Sequence, residues 1–456
     1  MARSGFQLNT IALKTPELVR VAILMVLLSM AALQAQTFAV LHSFSFESSA
    51  GFEPAAGLTI DAAGNLYGTT LLGGHSQTQY CPQEGCGTVF RLTYKYGAWL
   101  LSTLYSFEGG SDGSRPAARV TFGPDGSLYG TTEGSESSCM AQGDCGTIFR
   151  LMPPLSPCRS FNCPWTKTVL YRFGGGPDGS LPGYGDLAFD GQGDIYGTTQ
   201  AGGAYGNGTV FELTRQNGRW AESVLYSFAG LDGSSPIGGV ILDPSGNIYG
   251  TTAYGGPGYH PPQYGGAGVI FELVPAVHGW SETALFSFHD DARGALPYSA
   301  LTLDAAGNFY GTTGAGGQSF CYQETEMYGG CGTVFALATY PNPLYSFPGN
   351  YQFGLPAGPQ AAVVEDAGGN LYGTYYGDCV SDFGGVFELT AGSRDYVPLH
   401  VFSGGADGNC PISNVATDSG GNLYGTATEG GSSPGGGGVV WEITPSVVIV
   451  PRRTPR

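Results

Sequence analysis

The chain has 456 residues, of which 42% are apolar, 12% aromatic and only 12% charged, so it has ample material for a core. Its formal net charge is −18 with only 18 Lys and Arg residues, which argues against binding to nucleic acid or to an anionic lipid surface. Its 77 glycines stand largely between short apolar runs, a pattern typical of an all-β protein with many tight turns.

The first 35 residues have the organisation of an export signal. Arg3, Lys14 and Arg20 form a basic region, and the apolar run that follows, residues 21–33, is short for a membrane span. We expect cleavage after Ala35, with a retained N-terminal anchor as the alternative, and no membrane insertion of the mature chain. The predicted organisation is a signal segment at 1–35, a repeat domain at 36–445 and a short C-terminal tail at 446–456.

Beyond the signal segment, one repeat dominates the sequence, and its signature is Gly-Asn-Leu-Tyr-Gly-Thr-Thr. Every copy contains four short apolar segments in the same order, bounded by Gly, Pro, Asp or Asn, which is the pattern of β-strands rather than helices. The signature tyrosine occurs seven times, at Tyr67, Tyr129, Tyr196, Tyr249, Tyr310, Tyr372 and Tyr424. Four antiparallel strands repeated seven times predict a seven-bladed β-propeller, in which stacked blades share a core.

The two ends of the repeat domain predict how the ring closes. The domain opens on a segment of the fourth type, residues 38–44, and ends on one of the third type, residues 439–444. We therefore expect the N-terminal strand to complete the last blade, which removes the open edges of the ring. Regularly spaced aromatic residues on the third and fourth strands are interpreted as packing between blades.

The motifs Leu-Tyr-Ser-Phe, Asp-Gly-x-x-Pro, Gly-Asn-Leu-Tyr-Gly-Thr-Thr and Gly-Thr-Val-Phe-Glu-Leu resemble those of exported bacterial proteins with Gloeobacter/Verrucomicrobia repeats. The resemblance covers residues 38–445 and implies the fold, but no particular activity. More distantly, the run Gly-Leu-x-x-Asp-x-x-Gly-Asn-Leu-Tyr is similar to NHL and lactonase-type propeller repeats, whose blades begin at the innermost strand. This similarity implies that residues 58–61 line the central channel.

The ten cysteines are consistent with export to an oxidising compartment. No C-x-x-C spacing suggests a metal site, so local disulfides that pin loops are favoured. The expected pairs are Cys81 with Cys86, Cys139 with Cys145, Cys158 with Cys163, and Cys321 with Cys331, while Cys379 and Cys410 are predicted to bridge neighbouring repeats.

No catalytic constellation is evident in the sequence. Ser433 lies in a G-x-S-x-G pattern, but no helix follows it, as the nucleophile motif requires. The six histidines are scattered across unrelated repeat positions, and no cofactor is expected. Calcium is a possible ligand of the aspartates that recur in the first turn, although one copy per blade favours turn capping. Those aspartates are Asp61, Asp190, Asp243, Asp304, Asp366 and Asp418.

Loops of unequal length between the second and third strands are the predicted place for binding. Equivalent loops emerge on one face of a propeller, and such loops commonly carry function. The aromatic candidates for stacking on a sugar or peptide are Tyr80, Tyr259, Tyr264, Tyr322 and Tyr328. We therefore favour a monomeric, non-catalytic, extracytoplasmic module that binds a protein or a glycan. The alternative is an exported hydrolase, lyase or lactonase with a site at the central channel.

Overall fold

A computed structural model describes most of the repeat domain. The described residues are 36–46, 49–74, 80–81, 84–134, 139, 144–154, 165–257, 265–318, 330–338, 340–348, 358–433 and 435–444. The chain divides into one unit at Phe38–Ile443 and a second formed by Met1–Thr37 with Thr444–Arg456, nearly all of which lies outside these residues. The predicted signal segment and C-terminal tail therefore lie outside the described part. Within that part, no helix has the length and apolar character to cross a membrane.

The described strands form seven antiparallel sheets of four strands each, which confirms the predicted propeller. The strands are β1 (Thr37–Ser43), β2 (Thr59–Ile60), β3 (Leu66–Thr70), β4 (Thr88–Lys95), β5 (Ala98–Ser106), β6 (Thr121–Phe122), β7 (Leu128–Thr132), β8 (Thr147–Met152), β9 (Thr166–Arg172), β10 (Ala188–Phe189), β11 (Ile195–Thr199), β12 (Thr209–Gln216), β13 (Arg219–Ser227), β14 (Ile241–Leu242), β15 (Ile248–Thr252), β16 (Val269–Ala276), β17 (Gly279–Ser287), β18 (Thr302–Leu303), β19 (Phe309–Thr313), β20 (Thr333–Leu337), β21 (Pro341–Ser346), β22 (Val364–Glu365), β23 (Leu371–Tyr375), β24 (Gly385–Leu389), β25 (Tyr396–Val401), β26 (Ala416–Thr417), β27 (Leu423–Ala427) and β28 (Val439–Thr444). One short 3₁₀ turn, Gly110–Asp112, lies between β5 and β6.

Blades 1 to 6 each take four consecutive strands, from β2–β5 to β22–β25. Blade 7 has the order β1-β28-β27-β26, so the N-terminal strand completes the last blade as predicted. At this seam, the backbone N–H of Phe44 donates to the Gly438 oxygen at 2.8 Å. The ring therefore closes through a sheet that joins the two ends of the domain.

The signature Gly-Thr-Thr links neighbouring blades. The first threonine hydroxyl of each blade donates to a backbone carbonyl that precedes the innermost strand of the next blade, over 2.6 to 3.2 Å. The seven bonds run from Thr69 to Ala118, Thr131 to Gly183, Thr198 to Gly238, Thr251 to Ser299, Thr312 to Ala361, Thr374 to Ser413 and Thr426 to Ala56. The bond from Thr426 joins blade 7 to blade 1, so the ring of threonine bonds is continuous around the channel.

The Asp-Gly-x-x-Pro motif makes a second connection between blades. In every blade the residue before the proline has a left-handed backbone, as in Arg115 with φ 58° and Leu181 with φ 58°. The N–H of this residue donates to a carbonyl of the preceding blade, as the Arg115 N–H does to the Cys86 oxygen at 2.9 Å. Its carbonyl accepts an N–H of its own blade, as the Arg115 oxygen does from the Glu133 N–H at 3.0 Å. A strained conformation repeated in this way persists because two backbone bonds hold it.

The core lies between the blades and is largely aromatic, as predicted. The Phe44 and Phe90 rings meet at 5.2 Å in an edge-on contact, and Phe107 meets Phe149 in the same way at 5.2 Å. Leu58 is fully buried in the cluster that contains Phe44 and Phe90. Its equivalents in five other blades border the channel region, which agrees with the expected place of the segment 58–61; these residues are Leu187, Val240, Leu301, Val363 and Val415.

Disulfides pin several loops of the domain. The structure pairs Cys81 with Cys86, Cys139 with Cys145, and Cys379 with Cys410; the last bridge joins blades 6 and 7. Cys331 is also disulfide-bonded. Its predicted partner Cys321, and the predicted pair Cys158 and Cys163, lie outside the described residues.

Candidate functional site

The mouth of the central channel is the place where all seven blades converge on one cavity. Each blade contributes the short segment between its conserved proline and its innermost strand. The cavity at the mouth has a volume of about 310 Å³ and continues into a channel region of about 460 Å³. Because the inner two strands are antiparallel, the loops that follow the second strand emerge on this same face.

Two positions in that segment surround the mouth, and most blades place small or apolar residues there. The inner position, directly before the first buried residue of the innermost strand, is Gly or Ala in four blades and Arg119, Asp186 or Asn414 in the others. The outer position, two residues earlier, is Ala or Ile in four blades and Tyr184, Tyr298 or Gln360 elsewhere. Small side chains therefore predominate at the inner position, and three blades carry polar groups there instead.

Arg119 and Asp186 form the ion pair of the mouth. The guanidinium Nη2 atom of Arg119 lies 2.8 Å from Asp186 Oδ2, and the Arg119 backbone N–H donates to Asp186 Oδ1 at 3.2 Å. Arg119 Nε is buried and has no hydrogen-bond partner among the described residues. The charges cancel within the pair, while the buried Nε donor is left unsatisfied inside the protein.

Asn414 makes the same kind of contact as Asp186 at the equivalent position in blade 7. Its Oδ1 accepts the backbone N–H of Ala362, from the preceding blade, at 2.8 Å. The side chains of Asp186 and Asn414 thus each accept a backbone N–H that precedes the innermost strand of the preceding blade, which is a structural role. The NH₂ group of Asn414 has no partner within the described part of the chain, and it adds donors to the cavity.

Blade 3 carries one residue more than the other blades between its proline and its innermost strand. Its Gly183 carbonyl takes the bond from Thr131, so residues 184–186 follow as an extra protrusion at the mouth. Tyr184 on this protrusion is 43% exposed. Burial, and then the neighbouring Glu133, raise the pKa of Tyr184 to about 12, so its hydroxyl is protonated at neutral pH.

Glu133 lies beside this protrusion and is mostly buried. Its Oε2 atom is 3.5 Å from Nε of Arg115, and burial raises the pKa of its carboxyl despite that neighbouring charge. The pair lies outside the residues that line the mouth. It therefore supports the position of Tyr184 rather than facing the cavity.

Among the predicted loop tyrosines, the described residues include Tyr80 alone. Its ring packs over the backbone of Gly109 and Gly110, and it is outside the set that lines the mouth. Tyr259, Tyr264, Tyr322 and Tyr328 lie outside the described residues. The mouth residues were missed at the sequence level, although alignment of the copies at the position before each innermost strand would have revealed Arg119, Asp186 and Asn414.

The recurring aspartates serve their own turns. Asp61 Oδ1 accepts the backbone N–H groups of Ala63 and Asn65 at 2.9 Å, while Oδ2 accepts from the Asn65 amide and the Tyr67 hydroxyl at 2.7 and 3.0 Å. Asp243, Asp304, Asp366 and Asp418 repeat this pattern. Calcium binding stays a prediction. Within the described part, no three His, Cys, Asp or Glu side chains come together as metal ligands.

Ser433 is engaged in the closing seam. Its hydroxyl donates to the Ser43 backbone oxygen at 3.0 Å, between the loop of blade 7 and the N-terminal strand β1. This contact joins the two ends of the domain, and the absence of a nucleophile role for Ser433 stays a prediction.

Several solved structures are weakly similar to this chain. A structure titled as a candidate 6-phosphogluconolactonase from Bacteroides uniformis has 14% identity and a TM-score of 0.46, and covers 79% of this chain and 86% of its own. A gluconolactonase from Xanthomonas campestris has 17% identity and a TM-score of 0.35, with 61% and 75% covered. The PQQ domain of pyranose dehydrogenase from Coprinopsis cinerea has 11% identity and a TM-score of 0.37, with 71% and 91% covered. Likenesses this weak carry no functional argument.

Sequence comparison gives a clearer assignment. No curated protein matches the chain. The model of the Gloeobacter/Verrucomicrobia repeat matches residues 28–164 and 78–325, which together span more than half of the sequence. The chain therefore belongs to the Gloeobacter/Verrucomicrobia repeat family, as its motifs predicted.

Proposed function

We propose that this chain is a monomeric, non-catalytic, extracytoplasmic binding module whose channel mouth holds a polar ligand from a glycan or a partner protein. One observation carries the proposal. At the inner position of the mouth, where four blades carry Gly or Ala, Arg119, Asp186 and Asn414 converge on one cavity. Asp186 and Asn414 each use one side-chain oxygen for a backbone N–H of the preceding blade, and polar groups that converge in a cavity are typical of small-ligand sites.

The extracytoplasmic location is supported by the disulfides and by the N-terminal sequence. Three disulfides stand in the described part, and one of them joins two blades. Bonds of this kind form and persist in oxidising compartments. The basic region and apolar run of residues 1–35 are the corresponding signal in the sequence.

The non-catalytic assignment is supported by the number of carboxylates at the mouth and by their contacts. Asp186 is the one carboxylate among the described residues that line the mouth, and it already accepts the backbone N–H of Arg119 and forms an ion pair with the Arg119 guanidinium. Glycoside hydrolysis uses a pair of carboxyl groups across the scissile bond. A single engaged carboxylate beside a neutralised arginine is better suited to hold a ligand than to transfer protons.

The test uses purified full-length protein against arrays of glycans and of peptides from exported proteins. We expect saturable binding that is lost when Arg119→Ala and Tyr184→Ala are combined, with the melting temperature of the variant measured as a control for folding. The bound ligand is then incubated with the protein and analysed by mass spectrometry. Recovery of a cleaved or isomerised product would contradict the non-catalytic assignment.

A further inference from the structure

We infer that the ligand of the mouth is the uncharged end of a saccharide chain, an inference that rests on the proposed binding function. The shape of the cavity is the first support. Residues from all seven blades surround it, so a ligand can enter from this face only along the channel axis. Its volume of about 310 Å³ is at the lower end for small-molecule sites, about 300 to 1,000 Å³. This space suits the terminal unit of a chain rather than a folded surface.

The charges at the mouth favour a neutral ligand. Arg119 and Asp186 neutralise each other at 2.8 Å, so a carboxylate or phosphate would have to displace Asp186, and an ammonium group would have to displace Arg119. The formal charge of −18 on the whole chain also repels polyanions at long range. A ligand rich in hydroxyl groups meets neither obstacle.

The unsatisfied hydrogen-bonding groups match hydroxyls. The Asn414 NH₂ group, which has no partner in the described part of the chain, supplies donors to the cavity. The Gln360 amide at the outer position offers both a donor and an acceptor. Hydroxyl groups donate and accept at once, so neighbouring hydroxyls of one sugar ring can use these groups together. The serine hydroxyls of the mouth are already used, as Ser299 bonds Thr312 at 2.9 Å.

Two aromatic rings complete the site. Tyr184 and Tyr298 occupy the outer position in blades 3 and 5, and both line the cavity. The Tyr298 ring is held edge-on against Tyr254, with centroids 6.4 Å apart. Flat aromatic faces pack against the C–H faces of a sugar ring, while the polar groups at the inner position bind its hydroxyls. This division of apolar platform and convergent polar groups is typical of small-ligand sites.

The experiment compares neutral, uronate-bearing and sulfated oligosaccharides, and peptides, on the full-length protein by array and then by calorimetry. We expect a neutral oligosaccharide to bind and its terminal monosaccharide to compete. Arg119→Ala breaks the neutral pair and leaves the charge of Asp186 unpaired at the mouth, and should weaken binding about tenfold or more. Tyr184→Ala should weaken it by a similar factor. The matched control is Tyr205→Ala, since Tyr205 is 66% exposed in a loop of the same face but outside the cavity, and its affinity should not change.

The outcomes separate the two claims. Binding of an acidic glycan or a peptide that still depends on Arg119 and Tyr184 would overturn the saccharide assignment and retain the binding site. Binding that neither variant changes would overturn the mouth as the site, and with it the proposed function. Absence of binding across neutral glycans, acidic glycans and peptides counts against both.

Discussion

Glu222 and Glu282 occupy equivalent positions on the outer strands of blades 3 and 4, opposite Leu213 and Leu273 in register. One carboxyl oxygen of each glutamate is buried and has no partner among the described residues. Burial is the main cause that raises the pKa of each to about 7, and the charges of Asp178 beside Glu222 and of Asp232 beside Glu282 add to it. Blade 1 places an apolar residue, Leu101, at the same position.

These shifts predict that the propeller loses stability as the pH rises. The folded-state pKa of about 7 lies above the ordinary glutamate pKa of 4.5, so the folded chain binds these protons more tightly than the unfolded chain. The stabilisation is complete below pH 4.5 and is lost as the pH rises through 7. After allowance for solvent screening at these half-buried sites, each glutamate should cost about 1–2 kcal/mol at pH 8.

The perturbation is the double variant Glu222→Gln with Glu282→Gln, which fixes both side chains in a neutral form. For a domain of this size, a gain of about 2–4 kcal/mol corresponds to a rise in melting temperature of roughly 2–5 °C at pH 8. The gain should shrink towards zero near pH 4.5. The assay is differential scanning calorimetry across this pH range.

The matched control is Asp395→Asn, which removes one negative charge at an exposed hairpin of blade 6. This control measures how much stability the protein gains when its net charge of −18 is merely reduced by one. Any larger gain per charge in the glutamate variant is then due to the burial of those carboxyl groups. A double variant that gains no more per removed charge than Asp395→Asn at pH 8 would refute the reasoning. Equal gains at pH 4.5 and pH 8 would refute it as well.

Three further predictions concern the connections between blades. Gly208→Ala should destabilise the fold by about 3 kcal/mol or more in urea unfolding, because φ is +94° and the new Cβ would lie 2.5 Å from the Cδ atom of Pro236 in the next blade. The control is Gly218→Ala, which has a similar φ of +80° but open space around it, and it should cost only about 1 kcal/mol. Thr426→Val removes the threonine bond between blades 7 and 1 and should cost about 1–2 kcal/mol in the same assay. An unchanged unfolding midpoint would show that this bond does not stabilise the fold. Replacing Cys379 and Cys410 by serine opens a bridge with a sequence separation of 31 and should cost about 3 kcal/mol in urea unfolding. An unfolding midpoint equal to that of the oxidised wild type would show that this bridge contributes nothing to stability.

Local patterns explain why the fold could be predicted so fully. The turn aspartate, the Asn-Leu-Tyr strand and the Phe of the third strand act within one blade, and their spacing is visible in every copy. Gly68, for example, is paired with Phe90 in register, and a Cβ there would lie 2.5 Å from the ring. The ring closure followed from the type of the first and last strands. These features depend on neighbours in sequence or on the adjacent blade.

The mouth could not be predicted in the same way, because its residues meet across the ring. Arg119 and Asp186 are 67 positions apart, and Asn414 comes from the other end of the domain. Each one follows Gly, Ala or Ser in a segment that varies from copy to copy, so it looks like ordinary loop variation. Blade 6 hides a similar exchange, in which Tyr375 and Gly385 replace the usual Thr-Thr pair and the tyrosine ring fills the space of the missing side chain.

The polar ring of threonines explains why the mouth is free to vary. Each ring bond ends on a backbone carbonyl, such as that of Ala56 or Gly238, so it makes no demand on the side chains that flank this residue. Asp186 and Asn414 replace small residues and each gain one bond to a neighbouring backbone N–H. Arg119 makes no such contact with its side chain, and its buried Nε costs about 1–3 kcal/mol when unpaired. The guanidinium of Arg119 instead pairs with Asp186, so its contribution to the mouth is to neutralise the carboxylate there and leave a polar cavity without net charge.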